Sequence, residues 1–418
     1  MRLLLIEDNP TLRTLISHHV SCRWPGAHIS AHAPTQQGPI PPEFLAQGYD
    51  AVLLAQRWPG GDGLEWLRDL SGRPGFAPVI FLVESDQAGV REAALSWGAF
   101  EVAVWGKVKH SQLVGALERA EQAHRRQMAD WRVSPEAQES RRFGDAIIPA
   151  YRRARVLARG AISQLYIAES EEAAALVVLK VTPSSRDATG VDQALERFVQ
   201  EYEITRRIEH PSIVRFYEIG VADDHVYLAM EYFPLGDLRR RMRNGLGPTE
   251  ALQIAEQLAE TLSAIHAAGI LHRDLKPGNV MMRTAHQIAL IDFGLAKQST
   301  LDLELTDKGL IFGTPHYMSP EQGHAEPVDG RSDQYSLGVM LHEMLTGQKP
   351  FVADNPMTVL YMQRNAPVPR LPGELASLQP LVDRLLAKLP QHRYADCAAA
   401  ARAMAAARTA WLAAEAAV

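Results

Sequence analysis

Asp274, Lys276 and Asn279 lie close together in the run His272-Arg273-Asp274-Leu275-Lys276-Pro277-Gly278-Asn279, and Asp292-Phe293-Gly294 begins thirteen residues after Asn279. Carboxylate and amide oxygens of this kind suit a hard cation such as Mg²⁺, which keeps several waters and shares phosphate oxygens. Phosphoryl transfer asks a protein mainly to hold a nucleotide, metal ions and a hydroxyl in line while neutralising developing charge. The residue types for that task are present. Either triplet, His272-Arg273-Asp274 or Asp292-Phe293-Gly294, could arise by chance in a chain of 418 residues; both at this spacing do not. Upstream, the apolar run 175–179 ends in Lys180. By itself a lysine there could be an edge residue reaching for solvent.

The two runs resemble the catalytic loop and the metal-binding triplet of bacterial-type Ser/Thr protein kinases. The resemblance implies an α+β bilobal kinase domain that uses ATP and Mg²⁺. Asp274 would then accept the proton of the substrate hydroxyl, Asn279 and Asp292 would hold the metal, and Lys276 would neutralise the transferred group and favour Ser or Thr over Tyr. Lys180 matches the lysine closing the third strand of the small lobe. Glu201, in Phe198-Val199-Gln200-Glu201 ahead of His210-Pro211-Ser212-Ile213-Val214, matches its helix C partner. Met230-Glu231-Tyr232-Phe233 matches the hinge, with Met230 as gatekeeper and the backbone of Glu231 to Phe233 on adenine; Val178 lies near the nucleotide. Glu321 in Ser319-Pro320-Glu321 is expected to pair with Arg393, and Asp333 to tie the catalytic loop to the large lobe.

One stretch departs from the pattern. Where the family has G-x-G-x-x-G-x-V over the phosphates, this chain reads Ala158-Arg159-Gly160-Ala161-Ile162-Ser163-Gln164-Leu165, keeping one glycine of three. Ala158, Gly160 and Leu165 are still expected to cover the nucleotide. The alternative is an ATP-binding pseudokinase serving as a signalling scaffold. In the activation segment, Ser299, Thr300 and Thr306 are candidate autophosphorylation sites, Thr306 foremost, with Arg273 of the type that captures such a phosphate. Thr314 is expected to support Asp274 in the substrate loop.

The first 118 residues alternate short apolar runs (3–6, 51–54, 79–83, 102–105) with helical stretches (63–70, 90–97), as a doubly wound parallel sheet would. This part resembles response-regulator receivers of flavodoxin-like fold. Glu7 and Asp8 match the acidic pair of that family, but Ala55 stands at the phospho-acceptor position, Val83 where Thr or Ser senses the phosphate, and Trp105-Gly106 where Lys-Pro is usual. None of the three can accept, sense or neutralise a phosphoryl group. Asp50 and Asp62 are alternative acceptors on paper only. A phosphorylation-incompetent receiver-like domain that regulates or assembles the kinase is therefore expected, by partner docking or by homodimerisation through the helix 111–131.

The organisation read from these patterns is a receiver-like domain at 1–118, a helical linker at 119–145, a kinase domain at 146–408 and a helical tail at 409–418. A formal net charge of −6 gives no broad basic field, so nucleic acid is not an expected partner; proteins bearing Ser or Thr acceptors are. Two distant cysteines, Cys22 and Cys397, suit a reducing compartment and are expected to be buried and inert. No secretory leader or membrane span is legible, and a cytoplasmic protein is expected.

Overall fold

The computed structural model describes residues 1–73, 75–85, 88–104, 110–132, 139–160, 163–170, 175–184, 193–208, 210–292 and 315–416. The chain divides into two compact units, Met1–Arg186 with Tyr217–Tyr232, and Asp187–Phe216 with Phe233–Val418.

In the first unit five parallel strands, β1 (Arg2–Ile6), β2 (His28–His32), β3 (Ala51–Ala55), β4 (Val79–Val83) and β5 (Glu101–Val104), stand in the order β2-β1-β3-β4-β5. Helices α1 (Pro10–Arg23), α2 (Gly63–Ser71), α3 (Ala88–Ser96) and α4 (His110–Arg132) cover them. Side chains alternate between the two faces of a strand, so each strand feeds two cores. Leu3, Leu5, Leu53 and Ile80 pack with Ile16 of α1 and with Leu113 and Leu117 of α4. Leu4, Ile6, Leu54 and Phe81 pack on the other face with Leu67 of α2 and Ala94 of α3. Burial on both faces is why β3 and β4 read as unbroken apolar runs rather than as alternation.

Residue 118 falls inside α4, and Ala120 is buried in the first core, because the apolar stripe Leu113, Leu117, Ala120 keeps the helix docked past that point. One expectation needs correction here. Cys22 is exposed; Cys397 is buried, and burial pushes its thiol well above the usual range.

The same unit holds a second sheet. Strands β6 (Tyr151–Arg159), β7 (Gln164–Ser170), β8 (Ala175–Pro183), β9 (Phe216–Ala222) and β10 (His225–Glu231) lie in the order β6-β7-β8-β10-β9. Its core gathers Tyr166, Val177, Leu179 and Tyr227 and begins at Phe143, whose ring meets Tyr166 edge-on at 5.3 Å, slightly ahead of the expected domain start at 146.

The second unit is mainly helical, with α5 (Gln193–Arg207), α6 (Pro248–Ala267), the hairpin β11 (Val280–Met282) and β12 (Ile288–Leu290), α7 (Gly330–Thr346) and α8 (Cys397–Glu415). Asp329 caps α7 by accepting from the Arg331 N–H at 2.8 Å, and Gly347, at φ 72°, ends it in the left-handed conformation that glycine adopts without strain. The alanine-rich end of the chain is a packed helix, with Ala400, Ala401 and Met404 in the core and Arg408 donating to Glu256 of α6 at 2.9 Å. Among the described residues, no helix is long and apolar enough to cross a membrane.

Candidate active site

The run 272–279 follows α6 and closes in a short 3₁₀ turn, Pro277–Asn279, whose proline needs no backbone donor there. That turn folds Asn279 back onto Asp274. The Asn279 Nδ2 donates to the Asp274 carbonyl oxygen at 2.9 Å and lies 3.2 Å from Asp274 Oδ2, which also accepts from Lys276 Nζ at 2.7 Å. Three of the expected residues thus form one cluster. Asn279 is only 5% exposed, and with its amide nitrogen committed to Asp274 the amide oxygen is the atom a cation would take. The Ile291 N–H donates to the Asn279 carbonyl at 2.9 Å, which sets Asp292 beside the turn. Asp292 is exposed and sits at φ 54°, a conformation that costs a non-glycine residue about 1–3 kcal/mol and is held by its surroundings.

Asp333, in the first turn of α7, fastens the loop from below. Its Oδ2 accepts from the His272 N–H at 3.0 Å and meets His266 Nε2 at 2.7 Å, while Oδ1 accepts from the Arg273 N–H at 2.9 Å. Burial alone would raise this carboxyl, but the His266 hydrogen bond and charge and the backbone N–H of His272 outweigh it and hold Asp333 below the usual carboxylate range. Gly330 permits the arrangement, since a Cβ there would lie 2.6 Å from the His266 ring. Two backbone N–H groups aimed at one carboxylate bend the chain, and Arg273 takes φ 61°. The Gln322 Nε2 donates to the Arg273 carbonyl at 3.1 Å. His272 is buried and neutral: its Nδ1 accepts from the Asp274 N–H at 3.3 Å, its Nε2 faces the Ile291 carbonyl at 3.3 Å and must carry the proton, and burial lowers its pKa.

The expected Glu321–Arg393 pair is present and buried, with Nη1–Oε1 at 2.6 Å and Nη2–Oε2 at 2.9 Å. The Ser332 hydroxyl donates to Glu321 at 2.6 Å, and Arg393 also donates to the carbonyls of Arg331 and Ala387. It anchors the segment after residue 318 to the large helical core and touches no reacting group.

In the second sheet, Lys180 of β8 pairs in register with Leu165 of β7 and Leu228 of β10, and Val178 pairs with Met230. Met230 and Glu231 are still inside β10, and Phe233 just beyond it is buried. Gly160 donates its N–H to the Ser163 carbonyl at 2.9 Å, and a Cβ at Gly160 would sit 2.9 Å from that same oxygen. The one glycine kept from the phosphate-loop pattern is therefore the one this tight turn needs. Ala158 and Arg159 lead into the turn and are exposed; Ala161 and Ile162 lie outside the described residues. Glu201 belongs to α5, with its side chain outside the description. Ser299, Thr300, Thr306 and Thr314 all fall in 293–314, outside the described residues.

In the first domain Ala55 ends β3 at the floor of a cleft of about 550 Å³, lined also by Glu7, Asp8, Trp58, Val83 and Glu84. Burial raises the Glu7 carboxyl, and Asp8 accepts from the Thr35 hydroxyl at 2.8 Å. Asp50 lies at the opposite end of β3, accepting from the Arg2 N–H at 2.7 Å, and Asp62 caps α2. Both carboxylates have structural work away from the cleft. Trp105 and Gly106 are outside the described residues.

His266, Gln322 and Gly330 were not singled out from sequence, and no local pattern marks them. Gln322 and Gly330 lie many residues from the loop, and His266, though near it in sequence, acts on it through the distant Asp333.

Residues 151–411 match the protein kinase domain family. The chain is 34% identical over 253 residues to the serine/threonine-protein kinase PknB of Mycobacterium leprae (strain TN), covering 58% of this chain and 40% of that protein. It is 36% identical over 271 residues to the serine/threonine-protein kinase pkn2 of Myxococcus xanthus, covering 60% and 32%, and 33% identical over 258 residues to Pkn1 of the same organism, covering 60% and 37%. The chain thus spans between about a third and two fifths of the length of these curated relatives. A family match over more than half of its residues, falling on the loop whose geometry is given above, means that this chain belongs to the protein kinase domain family.

Proposed function

We propose that the chain is a Ser/Thr protein kinase that transfers the γ-phosphate of ATP to protein hydroxyls. The observation that carries this reading is the hydrogen-bonded cluster of Asp274, Lys276 and Asn279 in a loop held rigid by Asp333. Asp274 orients the acceptor hydroxyl and takes its proton, position mattering more than basicity. Lys276, already paired with Asp274, is placed to neutralise charge on the transferred group. Asn279 and Asp292 offer hard oxygen donors that fit Mg²⁺, and Lys180 with Glu201, Val178, Leu165, Met230, Glu231 and Phe233 serve the nucleotide. Bound ATP supplies the phosphoryl group itself. The kinase names of the relatives, and Lys276 in its Ser/Thr-type position, support serine and threonine as acceptors. The test is transfer of label from γ-labelled ATP to a generic protein acceptor in Mg²⁺: incorporation is expected, and nucleotide binding without transfer would defeat the proposal.

The first domain we read as receiver-like and phosphorylation-incompetent. The parallel order β2-β1-β3-β4-β5 is that of flavodoxin-like sheets, which supports the fold, and an alanine in the cleft supports the loss of chemistry. Its reach we place at 1–118 with α4 continuing into a linker to 145, the kinase domain at 146–408 and a helical tail beyond. Incubation with a small-molecule phosphate donor should leave residues 1–118 unlabelled; an acid-labile phosphate on Asp50, Asp62, Glu7 or Asp8 would contradict this.

A further inference from the structure

Glu169 and Arg152 are 2% and 7% exposed, side by side on β7 and β6 at the end of that hairpin farthest from the Gly160 turn. Their side chains form a salt bridge. The Glu169 carboxylate also accepts from two backbone N–H groups of the first domain, Leu45 at 3.3 Å and Gly48 at 3.4 Å. The loop bearing them is itself held from behind, because buried His124 of α4 meets the Gln47 carbonyl at 3.1 Å. Around this centre two further contacts join the same parts: Arg155 of β6 pairs with Glu43 at 2.8 Å, and Leu176 of β8 packs against the first domain's core. A carboxylate buried with charged and backbone donors from two domains cannot let go of one of them cheaply, since an unmet buried charge costs far more than an exposed one.

We propose that Glu169 is a positioning residue for the nucleotide: it clamps the β6–β7 hairpin to the first domain and so fixes its far ends, 158–160 and 163–165, which on the kinase reading serve the phosphates. The inference rests on the kinase reading of that turn. Glycine-poor, the turn has less freedom to shape itself around phosphates. A hairpin anchored at Arg152–Glu169 carries its turn from about six residues away, roughly 20 Å at strand rise. Register irregularities between Arg153 and Arg155 and between Val156 and Ala158 bend β6 on the way, so a shift at the anchor re-aims the turn.

The experiment uses the full chain. Glu169→Ala removes the acceptor, and the double variant Arg152→Leu with Glu169→Leu removes both charges, so that no buried arginine is left unpaired if the single variant folds poorly. In either, the KM for ATP should rise about tenfold while kcat at saturating ATP changes much less. Amide hydrogen exchange should quicken at Leu45 and Gly48 and also across 158–165. Glu43→Ala, which breaks only the half-exposed pair with Arg155, should leave KM within about twofold. If the Leu45 and Gly48 amides open while the KM for ATP and exchange across 158–165 stay at wild-type values, the clamp does not position the turn and the proposal is overturned. Wild-type ATP turnover in the same assay separates the two readings: its absence would count against the kinase assignment, not against the clamp.

Discussion

Replacing Asp274 by Asn should lower turnover by about 10²- to 10⁴-fold while leaving the KM for ATP near its wild-type value. The asparagine is nearly isosteric and can still accept from Lys276 and Asn279, so the loop should keep its shape. What it loses is the ability to take a proton from the acceptor hydroxyl and to hold it in line. Asp274 is hydrogen-bonded to Asn279 and Lys276 of its own loop, and its proposed role is in the transfer step, which is why the effect belongs in kcat. The check is steady-state kinetics with purified wild-type and variant chains on one protein acceptor. Unchanged label incorporation by the variant would remove Asp274 from the mechanism.

The second large effect is on stability. Glu321→Ala should destabilise the helical unit by about 3–5 kcal/mol, because it leaves the buried Arg393 charge with carbonyl oxygens and the Tyr335 ring beside it but without its carboxylate. For a domain of this size that is a fall in melting temperature on the order of 10 °C, read by thermal denaturation. A fall of less than about 2 °C would show that the pair contributes little. The pH dependence has a definite sign. Burial raises the Glu321 carboxyl, but the hydrogen bond and charge of Arg393 together with the Ser332 hydroxyl outweigh it and hold the group below its ordinary value of 4.5. Its stabilisation is therefore complete above that pH and lost as pH falls through the folded value, so the gap between wild type and variant should narrow in acid.

The cluster at 272–279 was legible because its contacts are local. Asp274, Lys276 and Asn279 are close in sequence, and a single proline-started turn brings them together. The strands of the first sheet were legible for a related reason: burial on both faces writes continuous apolar runs such as 79–83. What could not be read joins residues far apart. His266 reaches Asp333, and Glu169 reaches Leu45 and Gly48, across separations that leave no periodicity or motif behind. The reach of the first domain is a third case: α4 carries its apolar stripe smoothly past residue 118, so no composition change marks where docking ends.

Phosphoamino-acid analysis of an acceptor labelled from γ-labelled ATP in Mg²⁺ reaches the central claim most directly. Label should appear on serine and threonine, and Asp292→Asn should abolish it. Label confined to tyrosine, or label that persists in that variant, would contradict the account of how this loop performs phosphoryl transfer.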